Sequence, residues 1–388
     1  MFIYQYAPFY IFNFMSDSLY IHIPFCRKKC LYCDFYSIKL KSDIASDYME
    51  VLAEQVYKLD VCFSTIYIGG GTPSVIKPDQ WGKVLRELNK IKKKNCEFTI
   101  ELNPESLNKD LLLLFKKFGV NRLSIGLQSL VDKNLKKLGR LHLARQGIES
   151  LDLAVSLGFK NVSIDLIYGI WGQSLVDWRR EIELAVKLPI KHISCYCLTY
   201  EDSTPLGSLL ESNKIKSLSD NLVAKMYMHN MDFLPPKGFN HYEVSNYSKP
   251  GFESKHNLNY WQNESYWALG PGAVFYQKGI RAKHIADVGK YIEKYKRGQD
   301  TVITREKLNP GESAHEAAAI KIRTKEGINL RWFEKKTGFD LLDLRSRELA
   351  ELAAKGLIGF RRENGQKTAI YLSKKGFLFA DEVSSALL

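Results

Sequence analysis

The chain has 388 residues, 45% hydrophobic and 26% charged, with a formal charge of +13. That length suits one large globular domain with one or two smaller ones. Seven cysteines in so long a chain exclude a disulfide framework, and clustered cysteines then point to metal binding or chemistry. Residues 309–388 hold 14 basic and 11 acidic side chains, so the positive excess is spread along the chain and no nucleic-acid partner is expected.

The N-terminal stretch, MFIYQYAPFYIFNFMSDSLY, is apolar and aromatic but has no basic region and no small-residue cleavage site, so it is not a signal peptide. Its apolar run is shorter than the roughly 20 residues that a bilayer requires. Residues 1–17 read as a tail, with Met15 as an alternative start. No other run is apolar enough to cross a membrane, and a cytoplasmic protein is expected.

Beyond the tail, strand-like runs fall at 19–23, 64–68, 97–102, 122–127, 162–168 and 192–198. Helical patterns at 43–59, 78–92, 107–118, 145–157 and 174–187 separate them. Strands alternating with helices of this length predict βα units on a parallel sheet. Six units are too few for an eight-unit barrel, so the expected fold is α/β, a partial (β/α)6 TIM-like barrel over residues 18–235. Each strand delivers something polar or glycine-rich at its C-terminal end, where such barrels carry their sites. The cysteine loop follows the first strand and GGGTPS the second. Glu101 and Asn103 end the third, Gln128 the fourth, and Asp165 sits in the fifth.

Past a helix at 217–234 the pattern changes. Residues 236–308 are rich in aromatics, Asn and Gly and read as an irregular region packed on the barrel. Residues 309–388 read as amphipathic helices followed by a β-hairpin, a small winged-helix-like domain. Its near-neutral charge favours packing or protein contact over DNA.

The chemistry concentrates in IPFCRKKCLYCDFYS, where Cys26, Cys30 and Cys33 lie within eight residues. Thiolates are soft ligands that select zinc, copper(I) or iron–sulfur clusters. Structural zinc wants four closed ligands, and the chain offers only His22 as a fourth. Three cysteines in one tight loop suit a [4Fe–4S] cluster with one open iron. Both readings stand on spacing alone. GGGTP alone could be a turn, Glu101 a surface carboxylate and Arg140 a helix-end charge. His256 could be a core histidine hydrogen-bonded among packed aromatics.

The C-x3-C-x2-C spacing, with Tyr32 before the third cysteine, resembles the radical S-adenosylmethionine superfamily. YIHIPFCRKKCLYCDF, IYIGGGTPS, ELNPES, RLSIGLQS, GRLH, IDLIYGIWGQ and YEVSNYSKPGFESKHNLNYW together are similar to the family of oxygen-independent coproporphyrinogen III oxidase and its paralogue, the haem chaperone HemW. The resemblance runs from about residue 18 to the C-terminus. It implies a [4Fe–4S] cluster on Cys26, Cys30 and Cys33, whose open iron binds S-adenosylmethionine. By motif, Tyr20 and Tyr32 would lie near the cluster, and Gly70, Gly71 and Thr72 would meet the methionyl part. Backbone N–H groups of glycines can approach a carboxylate closely. Glu101 would accept from the cofactor's amino group or ribose, and Gln128, Arg140 and Asp165 would bind its polar periphery.

Two departures bear on the choice within that family. Phe35 stands where the oxidase pattern carries one more cysteine, and the residues before the first strand do not resemble the oxidase's substantial N-terminal segment. HNLNYW, 256–261, resembles the H-N-x-x-Y-W motif of the chaperone, which implies haem ligation by His256. A neutral imidazole is a common axial ligand of haem iron. Tyr260, Trp261, Tyr266 and Trp267 could wall a porphyrin. The expected function is therefore haem binding and transfer to an acceptor protein, with coproporphyrinogen oxidation as the alternative. By family that acceptor is respiratory, which implies peripheral membrane contact.

Overall fold

The computed structural model describes residues 17–277 and 279–388. The expectations for the N-terminal run and for Met15 lie outside them.

The six expected strands form: β1 Ser18–Ile23, β2 Phe63–Gly70, β3 Lys92–Leu102, β4 Arg122–Gln128, β5 Asn161–Tyr168 and β6 His192–Cys197. Neighbours pair in parallel in that order. The connecting helices are α1 Ser42–Tyr57, α2 Pro78–Lys90, α3 Lys109–Lys117, α4 Asp132–Leu138, α5 Ala144–Ser156 and α6 Leu175–Ala185. All but α4 were legible in the sequence. Helix α4 is short and ends at Gly139, whose φ of 76° is the left-handed C-cap that glycine adopts without strain.

The stretch 236–308 is more regular than its composition suggests. After α7 Pro205–Glu211 and α8 Asp220–Phe233, it supplies β7 Asn240–Glu243, β8 Asn246–Ser248 and β9 Trp267–Leu269 to the main sheet. The sheet order is β9-β1-β2-β3-β4-β5-β6-β8-β7. β9 runs parallel to β1, so the first strand is interior rather than an edge. β8 is antiparallel to both β6 and β7.

The strands alternate over most of their length. Leu19, Ile21, Ile66, Ile68, Phe98, Ile100, Leu123, Ile125, Val162, Ile164 and Ile193 are buried under the helices. Tyr20, His22, Tyr67, Thr99, Glu101, Arg122, Ser124, Ser163, Asp165, His192 and Ser194 occupy the intervening positions and line the barrel interior. Parallel strands usually read as continuous apolar runs because both faces are dry. Here one face is dry and the other is a polar lumen.

Behind the sheet, Trp81 on α2 is fully buried and meets Phe115 on α3 edge-to-face at 5.5 Å. Trp178 on α6 donates through Nε1 to Asn230 Oδ1 on α8, 2.8 Å away. At the C-terminus, helices Pro310–Lys321, Leu330–Thr337 and Ser346–Ala354 precede a hairpin of Ile358–Glu363 and Gln366–Leu372. This is the helix-then-hairpin arrangement of a winged helix, closed by Ala380–Leu387 against the first of its helices, where Ser384 Oγ donates to Ala319 O at 2.6 Å.

Trp81→Ala removes the largest enclosed side chain of α2, and urea unfolding is expected to show a loss of about 3–5 kcal/mol. A loss under about 1 kcal/mol would mean that the α2–α3 layer does not hold the barrel.

Candidate functional site

The cysteine loop begins where β1 ends. Phe25–Cys26 and Ile38–Lys39 pair in parallel, which clamps the two ends of the loop together. Leu40 N donates to Cys26 O at 2.9 Å, and Cys33 N donates to Cys30 O at 3.3 Å in a turn between the last two cysteines. The loop is pinned to the barrel rim from two sides: Leu31 N donates to Leu138 O at the end of α4, and Leu206 N of α7 donates to Leu31 O. Tyr32 lies against an apolar cluster of Leu138, Ile167, Ile170, Leu198 and Leu206.

Side chains from three other motifs converge on the sulfurs. Thr72 Oγ1 donates to Cys26 Sγ at 3.4 Å. Arg140 Nη1 donates to Cys30 Sγ at 3.4 Å, while its Nη2 donates to Asn103 Oδ1 at 2.8 Å and to Gly126 O at 2.9 Å. Asn103 Nδ2 donates to Thr72 Oγ1 at 2.9 Å, which closes a ring running Cys26–Thr72–Asn103–Arg140–Cys30. Glu105 stands behind it, 3.8 Å from Arg140 Nη2 and 3.2 Å from His142 Nδ1. Burial opposes the Glu105 carboxylate, but the His142 hydrogen bond and the Arg140 charge hold it below the usual range. Burial pushes the Cys26 thiol up, and Cys33 to about 11. Thiolates here therefore need a cation, which iron would supply.

The donor set fits an iron–sulfur cluster: three thiols on one clamped loop, two of them receiving hydrogen bonds. It does not fit zinc with His22. His22 Nε2 bonds Tyr36 O at 2.8 Å and Nδ1 bonds the Tyr20 hydroxyl at 3.1 Å, so both ring nitrogens are taken.

The GGGT segment works differently from its sequence expectation. Gly70 N donates to Glu101 Oε2 at 3.2 Å, Gly71 N to Ile23 O at 2.8 Å and Thr72 N to Phe25 O at 2.7 Å. Those N–H groups are committed to the protein rather than turned to a ligand carboxylate. Gly71 is required for close approach instead, since a Cβ there would stand 2.6 Å from Phe25 O. The lumen carries the remaining expected residues. Glu101 accepts from the Tyr67 hydroxyl at 2.7 Å. Burial, reinforced by the neighbouring Asp165 charge, lifts Glu101 to about 7. Asp165, also raised by burial, accepts from Ser124 Oγ at 3.2 Å. Tyr20 packs 6.2 Å from Tyr67. Gln128 ends β4 at φ 63°, an unusual backbone for a non-glycine residue and one that recurs at functional sites.

The radical SAM superfamily profile matches residues 20–185, which span β1 through α6. The heme chaperone HemW of Bacillus subtilis is 34% identical over 96% of this chain and 99% of its own length. The heme chaperone HemW of Lactococcus lactis is 34% identical over 96% and 97%. The chain belongs to the HemW family of the radical S-adenosylmethionine superfamily. Coproporphyrinogen III oxidase from Escherichia coli, 19% identical, superposes with a TM-score of 0.81 over 95% of this chain and 89% of that one, which establishes the shared fold.

The HemW-family motif HNLNYW forms helix α9, Lys255–Trp261, capped by Ser254 Oγ. His256 does not reach the rim. It is 1% exposed, its ring stacks on Tyr67 at 5.1 Å, and its backbone N–H donates to Glu97 Oε1 at 3.1 Å. Thr65 Oγ1 donates to Ser18 Oγ and lies 2.8 Å from His256 Nδ1, so Nδ1 carries the proton. Nε2 accepts from the Tyr260 hydroxyl at 2.7 Å. The expectation of a free imidazole nitrogen for haem iron is thus not met in this conformation. Burial holds the ring neutral, its pKa lowered to about 3. Trp267 also departs from expectation, lying in β9 against Phe275 rather than with Tyr260.

Sequence reasoning placed Asn103 at the end of the third strand without a role and did not single out Glu105 and His142, although they stand in the ELNPES and GRLH motifs. It also missed Tyr67, whose position two residues before Gly69 in an alternating strand marks it as inward-facing.

Gly71→Ala is expected to displace the Phe25–Cys26 segment, and anaerobic reconstitution to recover well under half the wild-type iron. Gly82→Ala is the control, since a Cβ there meets nothing closer than 3.6 Å. Equal iron in both variants would detach Gly71 from the loop.

Proposed function

We propose that this chain binds haem and passes it to an acceptor protein, on a radical S-adenosylmethionine fold that carries a [4Fe–4S] cluster. The observation that carries this is near full-length identity to relatives named heme chaperone HemW. Cys26, Cys30 and Cys33 would hold the cluster, with Thr72 and Arg140 donating to its sulfur ligands. The bound cluster and S-adenosylmethionine would supply reductive radical chemistry. Glu101, Asp165 and Gln128 would hold the cofactor's polar groups in the lumen mouth, and Tyr20, Tyr32, Gly70 and Gly71 would shape it.

Haem would dock at the HNLNYW segment. A cleft of about 150 Å³ opens there, lined by Tyr260, Trp261, Tyr266, Tyr276 and Arg281. Its aromatic walls suit a porphyrin edge, and Arg281, ion-paired with Glu316 Oε1 at 2.7 Å, would have to exchange that partner for a propionate. His256 can serve as axial ligand only after its ring leaves Thr65 and Tyr260. Among the described residues no helix is long and apolar enough to cross a membrane. The chain is proposed to act in the cytoplasm, with peripheral contact to a respiratory acceptor.

The test is haem titration of the anaerobically purified chain, with His256→Ala and Thr65→Val in parallel. About one haem per chain is expected. His256→Ala should weaken binding at least tenfold, while Thr65→Val, which removes the acceptor of the Nδ1 proton and so loosens the ring, should leave it equal or tighter. Equal losses in both variants would make His256 a packing residue. Coproporphyrinogen III in the same anaerobic preparation should give no protoporphyrinogen, and robust turnover would favour the oxidase.

A second outcome follows from Glu101. A carboxylate that titrates at about 7 binds an ammonium only above that pH. S-adenosylmethionine affinity, measured by equilibrium dialysis, should fall about five- to tenfold from pH 8 to pH 6. Glu101→Gln should flatten that dependence, and a flat wild-type profile would remove Glu101 from cofactor binding.

A further inference from the structure

Arg122 opens β4 and is 2% exposed, among the largest enclosed side chains of the molecule. Its guanidinium makes no hydrogen bond or ion pair with any described residue, and Nε is fully enclosed without an acceptor. Thr99 lies beside it in register on β3, is 0% exposed, and its Oγ1 is likewise enclosed and unpartnered. These are adjacent polar groups on neighbouring strands, and both point into the lumen.

Asn161, in register with Arg122 on β5, also leaves its Oδ1 enclosed and unpartnered, while the other groups around Arg122 are engaged. Tyr67 donates to Glu101, and Asp165 accepts from Ser124. His192 bonds Ser163 Oγ through Nδ1 and the Tyr242 hydroxyl through Nε2, both at 2.7 Å. His256 is held by Thr65 and Tyr260. Glu101 and Asp165 lie within electrostatic reach of Arg122 but make no ion pair with it. Glu101 sits two residues beyond Thr99 on β3, about 7 Å further along the strand. Burial raises both carboxyls, Glu101 to about 7.

An unpaired guanidinium in an enclosed interior is among the costliest arrangements a fold can keep. Its planar fork matches two oxygens held in one plane.

We propose that Arg122 anchors a carboxylate of a small-molecule ligand inside the barrel, bound through both forks of the guanidinium, with the Thr99 hydroxyl donating to the same group. This lumen site lies below the rim that faces the cysteine loop. It is separate from the HNLNYW cleft and does not depend on the haem reading. The carboxylate belongs to a ligand other than S-adenosylmethionine, because Arg122 and Thr99 lie deeper than Glu101 and the GGGT segment.

The probe is ¹³C-formate, titrated into the full anaerobic chain and read by NMR line broadening. Saturable binding is expected in the wild type, unaffected by saturating S-adenosylmethionine. Arg122→Met should weaken it at least about tenfold, Arg122→Lys less, and Thr99→Val about threefold. Without formate, Arg122→Met should melt at the wild-type temperature or above it, because an apolar chain replaces an unpaired charge. A purely structural arginine would give a lower melting temperature. The proposal is overturned by any of four results: no saturable formate binding, equal affinity in Arg122→Met, competition with S-adenosylmethionine, or displacement of formate by equimolar chloride. Should Arg122→Met fail to fold, unchanged formate affinity in Thr99→Val overturns it as well.

Discussion

A parallel sheet that turns polar side chains to one face can exist only if that face is enclosed and most of its polar groups are answered. The six strands of this chain alternate apolar and polar residues over most of their length, and the barrel follows from that constraint. The apolar rows bind the helices. The polar rows have no route to bulk water through the helix layer, so they bond to one another across the lumen: Tyr67 to Glu101, Ser124 to Asp165, Ser163 to His192. The chemistry of the site is continuous with the structural interior rather than placed on top of it.

Arg140 shows how the rim inherits this logic. One guanidinium touches a cysteine sulfur, the Asn103 amide and the Gly126 carbonyl, so the loop after β1, the end of β3 and the body of β4 are held by a single side chain. Lysine, a point charge without the fork, could not hold all three in plane. The ring through Thr72 and Asn103 holds the first two sulfurs of the loop, Cys26 and Cys30, without any cluster. A preformed site of this kind reduces the ordering that metal binding must impose.

Much of this was legible in the chain. The strands and five helices announced themselves by periodicity and by glycine-rich ends, and the cysteine loop by spacing. β7, β8 and β9 are three or four residues long and carry no readable period, so the aromatic stretch looked irregular. His256 was legible as a residue that matters, but its partner Thr65 is 191 positions away in sequence. Nothing local could reveal that both imidazole nitrogens are engaged. The committed N–H groups of Gly71 and Thr72 were hidden for the same reason, because they answer to Ile23 and Phe25 of another strand.

The placement of β9 beside β1 carries a consequence for how the molecule assembles. The strand that launches the cysteine loop pairs on one side with residues 65–70 and on the other with residues 267–269. Closing the second pairing requires a chain loop of nearly two hundred and fifty residues, and contacts of that span form late. A growing polypeptide therefore holds its cysteine loop on a half-paired strand until most of the chain has been made. During that interval one side of β1 stays open, and it closes only when residues 267–269 arrive.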